Sequence, residues 1–365
     1  EGQLSLKTQK VKDVIERIGH QNPELVKPAL GPKEPWAYRN KMQMPVGGIK
    51  GNIQMGFYAM GSHDIVQGTN CPIQDEGNNI IAQACYQIAK EFDIEPYDEH
   101  TGKGVLRHVI GRIGQSGWMI ILVTATEHLP HQEKWVEKLT ERAPQVETIV
   151  HNVNGKRTNV ILGPKNHILY GEGTIIDHIK DLQFTLSPHS FFQVNPEQTT
   201  VLYDQALEYA DLKGNETVID AYCGTGTISL FLAHEAKHVI GIEIVEPAII
   251  NARENARRNG YDNTEFIVAD AAVEMPKLYK AGVRPDVIVF DPIRAGCKEE
   301  VLTSAAGMEP KRIVYVSCNP ATMARDIEIL THYGYELQEV QPVDMFPMTA
   351  HVEAVALLTR SKATQ

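Results

Sequence analysis

From Thr217 onward, short apolar runs alternate with helical stretches, and this alternation constrains the fold more than any other feature of the chain. The runs are "TVIDAYCGTG", "HVIGIEI", "TEFIVAD", "PDVIVFDP" and "RIVYVSCNP", separated by stretches such as "EPAIINARENARRNG" and "PATMARDIEILTHYG". Strands buried on both faces read as continuous apolar runs, and a helix between consecutive strands supplies the crossover that parallel pairing needs. The predicted fold class is therefore α/β, with a doubly wound, mostly parallel sheet. The closing segments "YELQEVQPVDMFP" and "HVEAVALLTR" lie too close together for a crossover helix. They are predicted to pair as antiparallel neighbours.

The sheet domain is placed at 186–365, entered through a helix in "SPHSFFQVNPEQTTVLYDQALEYADL". Residues 36–185 read as a central α+β domain, with short strands ("RNKMQMPV", "GNIQMGFYAM", "WMIILVTAT", "TIVHNV") around helices near 77–91 and 131–142. Residues 1–35 read as a helix ended by Gly19 and a proline-rich connector. The chain opens on Glu1 in mid-helix by pattern, the expectation for a piece of a longer protein.

Composition narrows the function classes. No apolar run approaches the roughly 18 residues of a membrane span, and the start has neither signal nor transit peptide pattern, so no membrane partner is expected. Five scattered cysteines without a C-x-x-C pair give no disulfide framework and no zinc site, and suit a reducing cytoplasm. A formal net charge of -11 opposes nucleic-acid binding through bulk electrostatics. Any such partner must be met by a local surface or a shaped pocket; DNA is not expected.

"DAYCGTGTISL" sets Gly224 and Gly226 between a strand and a helix. Glycines there let the backbone approach a ligand, although they also serve tight strand–helix packing. No Gly-Lys-Ser/Thr follows, and Ser229 stands where a dinucleotide fingerprint has its third glycine. Glu243 ends the next strand, where a carboxylate can take both hydroxyls of a ribose in a dinucleotide or an S-adenosylmethionine (SAM) site. Asp291 ends the fourth strand, with Pro292 and Arg294 after it, at the edge where doubly wound sheets bind ligands. Cys85, Cys223 and Cys297 read as buried core residues.

Cys318 ends the strand beside that of Asp291, followed by Asn319 as a good helix cap and Pro320 as a preferred first residue. A thiol at a helix amino terminus is expected to have a lowered pKa, although a buried inert cysteine fits the local pattern too. Because the last strand runs antiparallel, His351 and Glu353 start near Cys318. A thiol and a carboxylate without an assigned histidine partner differ from a papain-type site. They suit alkylation of a pyrimidine at carbon 5: a thiolate adds to carbon 6, the resulting enolate takes a methyl group, a base removes the carbon-5 proton, and the thiol is eliminated.

"SFFQVN", "DAYCGTG", "DPIRAG", "VSCNPATMARD" and "DMFPMTAHVE", in this order, resemble the SAM-dependent RNA uracil-5-methyltransferases, and "MGFYAMGSHDIVQGTNCP" looks like their central domain. The Ser-Cys-Asn-Pro and His-Val-Glu segments look more like the 23S ribosomal RNA branch than the transfer RNA branch. The resemblance covers nearly the whole chain and implies a class I methyltransferase sheet of seven strands with a central RNA-binding domain. It further implies that Cys318 is the nucleophile, that Glu353 accepts the proton, and that Gln193, Tyr222, Glu243 and Asp291 line the SAM pocket. Phe191 and Phe192 would help form the base pocket, or serve as core.

Two departures stand out. Ile293 occupies the place of a common second proline, while Asp291 and Arg294 are kept. At the front, the resemblance implies an OB-like domain and a cysteine cluster holding a [4Fe-4S] group, and Cys71 in "GTNCPIQ" matches the fourth ligand. Four thiolates are needed, so no cluster is expected within these residues alone; Cys71 is either a ligand left by trimming or a buried side chain. The competing functions are the same chemistry on transfer RNA, a methyltransferase for another substrate that does not need Cys318, and an idle RNA-binding module.

Overall fold

A computed structural model describes residues 1–361. They form two compact units, residues 34–196 and residues 1–33 with 197–361.

The 34–196 unit is built on a mixed sheet in the order 65–67, 52–58, 41–49, 106–113, 118–124, 146–153, 165–170. All neighbours are antiparallel except 118–124 with 146–153, which are joined by the helix Gln132–Arg142. A parallel pair needs such a crossover. The helix Glu76–Glu91 packs Ile81, Cys85 and Ile88 into the same core as Met42, Met44 and Ile120. A hairpin of Ile175–Ile179 and Leu182–Leu186 lies outside this sheet.

The second unit carries the alternation seen in the sequence. Its strands are β1 (Thr217–Asp220), β2 (His238–Glu243), β3 (Thr264–Val268), β4 (Val287–Phe290), β5 (Arg312–Ser317), β6 (Tyr335–Val343) and β7 (Glu353–Arg360). Its helices are α1 (Gly2–Arg17), α2 (Pro196–Ala210), α3 (Thr227–Ala233), α4 (Glu246–Arg258), α5 (Ala271–Lys280), α6 (Glu299–Gly307) and α7 (Pro320–His332). The sheet order is β3-β2-β1-β4-β5-β7-β6. β1 to β5 are parallel, and β7 runs antiparallel to both β5 and β6, as the short connection requires. The order reverses direction after β1, which opens a crevice at the carboxyl ends of β1 and β4. The core is apolar, with Ile219, Ile240, Ile288, Phe290, Tyr315 and Ala356 almost wholly buried.

The chain enters this unit twice. α1 buries Val11 and Ile15 in the sheet-unit core. The extended segment after it follows β6, where the Lys27 N–H donates to the Val340 carbonyl (2.9 Å) and the Leu30 N–H to the Pro342 carbonyl (3.0 Å).

Candidate active site

Four strand ends and one strand start supply the site's polar side chains. β1 ends at Asp220, and the turn after it holds Gly224 and Gly226 at φ +54° and +82°. A Cβ added to Gly224 would meet nothing within 4 Å, whereas one at Gly226 would come within 3.1 Å of Ala252 Cβ. Gly224 therefore leaves the backbone open to a ligand, and Gly226 serves close packing of the turn on α4. Glu243, ending β2, faces this turn. Its Oε2 accepts the Gly224 N–H (3.3 Å) and its Oε1 the Val245 N–H (2.9 Å).

Asp220, which sequence reasoning passes over, is 1% exposed. Its Oδ2 accepts the Ser229 hydroxyl at 2.6 Å, and its Oδ1 has no hydrogen-bond partner among the described residues. Burial pushes its pKa up to about 6, and the charge of Glu243 adds to the shift. Asp291 follows β4, is partly accessible yet closely surrounded by protein, and is pushed up to about 7 by desolvation and then by Asp220. Tyr203 on α2 was also missed. Its hydroxyl lies 3.1 Å from Thr227 Oγ1, and burial together with Asp291 raises its pKa.

The register of β5 and β7 brings the thiol and carboxylate together. Ser317 pairs with Ala354, so the next antiparallel step sets Cys318 opposite Glu353, while on the other side Glu353 pairs with Val343. Glu353 is 4% exposed, and its carboxyl is pushed up to about 8 by burial first and by Asp291 second. The Cys318 thiol is half-buried and its pKa is raised, by desolvation, then Glu353, then Asp291, with Arg294 opposing.

This corrects the expectation of a lowered thiol pKa. The helix start is as expected: Asn319 Oδ1 accepts the Ala321 N–H (3.3 Å) and Pro320 opens α7. Cys318 stands one residue before that cap, and the terminus effect falls off within a turn. Desolvation and two carboxyls outweigh it.

The loop 291–297 is held from below. Asp326 Oδ2 accepts both the Cys297 N–H (2.8 Å) and the Tyr315 hydroxyl (2.5 Å), and Arg325 Nη2 donates to the Ala295 carbonyl (3.0 Å). The Tyr222 hydroxyl is engaged with the Cys297 thiol. Arg294 is tied through its carbonyl to Asn319 Nδ2 (3.0 Å), and its Nη2 lies 3.3 Å from His351 Nδ1. Phe191, Phe192 and Gln193 belong to the 34–196 unit. There Phe192 packs on Phe184 (5.5 Å between ring centres), while Phe191 is 72% exposed, so the aromatic pair is divided between core and surface.

A sequence profile of the tRNA (Uracil-5-)-methyltransferase family matches residues 119–361. The chain belongs to this family. An RNA methyltransferase of Halalkalibacterium halodurans is 52% identical over 360 residues, covering 98% of this chain and 79% of that protein. One of Clostridium acetobutylicum is 49% identical over 364 residues, again 98% and 79%. The solved tRNA (uracil-54, C5)-methyltransferase of Pyrococcus abyssi, in complex with S-adenosyl-L-homocysteine, is 28% identical with a TM-score of 0.80, covering 98% of this chain and 83% of that one. The chain is accordingly a SAM-dependent RNA uracil-5-methyltransferase with a class I sheet. The open backbone at Gly224, the carboxylate of Glu243 and the orphaned oxygen of Asp220 fit a polar nucleoside cosubstrate. Among the described residues no helix is long and apolar enough to cross a membrane.

An iron–sulfur group does not fit the residues present. Cys71 is half-buried in the loop before the helix Glu76–Glu91, its N–H donating to Asn79 Oδ1 (2.9 Å). Cys85 is wholly buried and burial raises its pKa, and the other thiols lie in the other unit. Among the described residues no three His, Cys, Asp or Glu side chains group as a metal site.

Proposed function

We propose that the chain methylates carbon 5 of a uridine in 23S ribosomal RNA, with Cys318 as nucleophile and Glu353 as the final proton acceptor. The observation that carries this reading is the juxtaposition of thiol and carboxylate by the β5–β7 register, beside Asp291 at the edge where the parallel strands end. The Cys318 thiolate adds to carbon 6 of the uracil, which makes carbon 5 nucleophilic. SAM, when bound, supplies an electrophilic methyl group on a sulfonium. Glu353 then takes the carbon-5 proton, the C–H electron pair becomes the ring double bond, and the C6–S bond breaks to return the thiolate. Tyr222, Glu243 and Asp291 hold the cosubstrate, with Glu243 on the ribose hydroxyls. The working compartment is the cytoplasm, where ribosomal RNA and reduced thiols coexist.

The ribosomal choice rests on the Ser-Cys-Asn-Pro and His-Val-Glu segments. Transfer RNA is the second reading, favoured by the activity of the Pyrococcus abyssi enzyme. Incubation with labelled SAM and separated 23S ribosomal and transfer RNA decides between them, since 5-methyluridine should form in the ribosomal fraction. Label confined to transfer RNA would overturn the substrate assignment. Label in neither would overturn the whole reading.

Two further outcomes follow from the chemistry. Glu243→Ala should weaken SAM binding about ten- to hundredfold, the worth of a lost charge-assisted hydrogen bond of roughly 1.5–3 kcal/mol. Calorimetry that finds unchanged affinity in the folded variant removes Glu243 from the ribose. Carbon 6 is reached only from the ring face, so the target base must leave its stack, and looped uridines should be methylated faster than paired ones. Equal rates on a hairpin loop and on its fully paired duplex would contradict base extrusion.

A further inference from the structure

The loop between β6 and β7 ends at Glu353, and α1 grips that loop along its length. Lys7 Nζ lies 2.5 Å from Asp344 Oδ1 and donates to the Phe346 carbonyl at 3.1 Å. One turn later Lys10 Nζ donates to the Ala350 carbonyl at 2.9 Å, and the Met348 N–H donates to Gln3 Oε1 at 3.3 Å. Positions 3, 7 and 10 share a helix face, so one side of α1 meets the loop at 344, 346, 348 and 350. The core residues Val11 and Ile15 anchor the helix itself.

Lys7 is 4% exposed and Asp344 2%. Burying both charges costs desolvation that their attraction offsets only in part, so such a pair adds little net stability compared with an apolar one. What it does add is a fixed geometry: the ammonium is satisfied only where Asp344 and the Phe346 carbonyl converge. The Asp344 N–H is also held, by the Leu30 carbonyl at 2.7 Å. The segment from 344 to 350 is thus tied at alternate residues, and the next residues are His351, Val352 and Glu353. His351 faces Arg294 across the loop and stacks edge-on to Phe346 at 6.0 Å.

We infer that Lys7 is a positioning residue for Glu353, acting through the loop 344–352, with Lys10 as its weaker partner. The inference rests on the reading of Glu353 as proton acceptor. A misplaced carboxylate slows only the step that needs it, so methyl transfer proceeds and elimination lags.

The test follows the SAM-dependent covalent RNA complex by denaturing electrophoresis, with the RNA fraction that the wild-type protein labels. Lys7→Met should slow resolution of the complex about tenfold to hundredfold, the loss attached to a misplacement of about 1 Å, while SAM affinity by calorimetry stays within about twofold. Lys10→Met, at an exposed position, should show the same signature with a smaller factor and decides the matter if Lys7→Met does not fold. In a Glu353→Gln background, Lys7→Met or Lys10→Met should change nothing further, because the group it positions is already gone. If Glu353→Gln traps complex but the foldable lysine variants resolve it at the wild-type rate, the inference is overturned and the role of Glu353 stands. An equal loss of SAM affinity, complex formation and resolution also overturns it, since that is general damage. If Glu353→Gln itself traps nothing, the reading of Glu353 fails first.

Discussion

Glu353→Gln is expected to accumulate a covalent protein–RNA complex that survives denaturing electrophoresis and forms only with SAM, whereas Cys318→Ala forms none. Glutamine keeps the size and hydrogen-bonding capacity of the neutral acid, so the buried site opposite Cys318 should stay packed. Cys318 can still add to carbon 6, and carbon 5 can still take the methyl group. Without a base the carbon-5 proton stays, the ring double bond does not re-form, and the thioether persists. General-base catalysis contributes about 10²- to 10⁴-fold, so turnover should fall by that range while complex builds up over seconds to minutes. Cys318→Ala removes the first bond of the sequence, and both product and complex should be absent. A carboxylate with a merely structural role would lower activity without trapping anything. Near wild-type turnover in Glu353→Gln, or lost activity with no SAM-dependent complex, would transfer the role to Asp291 or His351.

The alternation of strands and helices was legible because each buried strand is a continuous apolar run and each crossover a recognisable helix. The antiparallel closing pair was legible from the shortness of its connection, and with it the meeting of Cys318 and Glu353. Five strands, at 65–67, 106–113, 165–170, 175–179 and 182–186, were not picked out. The strand 165–170 alternates exposed and partly buried residues at the rim of its sheet, and "HILYGEGTIIDHI" has no uninterrupted apolar run to mark it. The grip of α1 on the loop before β7 was equally silent. Gln341 donates to Pro28 across 313 residues of sequence, and no local pattern announces a contact of that kind.

Electrostatic signs were the least legible feature. A helix cap can be read from Asn319 and Pro320, but desolvation depends on what surrounds the thiol. Glu353 and Asp291 add to its shift, and the two groups that interact with Asp291, Asp220 and Tyr203, do not stand out: an aspartate at a strand end and an aromatic on a helix are common. Only the folded register reveals that Asp220, Asp291 and Glu353 share one stretch of the sheet edge.

That concentration of acids gives the second large effect, in which activity and stability move oppositely with pH. Glu353 titrates at about 8 in the folded chain against an ordinary 4.5, so the folded state favours the protonated carboxyl. Its contribution to stability is full below the unfolded pKa and is lost as pH rises through about 8; Asp291, at about 7, and Asp220, at about 6, follow the same sign over lower windows. Between pH 6 and 9 the Glu353 share alone amounts to about 2–3 kcal/mol, from about 1.4 kcal/mol per pKa unit. Proton removal from carbon 5 needs the ionised form, so the release step should quicken over the same interval. The ligand-free wild-type protein should therefore melt at a lower temperature at pH 9 than at pH 6, and Glu353→Gln should recover about 5–10 °C of that drop. Parallel melting curves for wild type and Glu353→Gln across this range would mean that the carboxyl is already ionised at neutral pH in the folded chain. Glu353 would then carry no stored cost, and the pH dependence of turnover would have to come from another group, such as the Cys318 thiol.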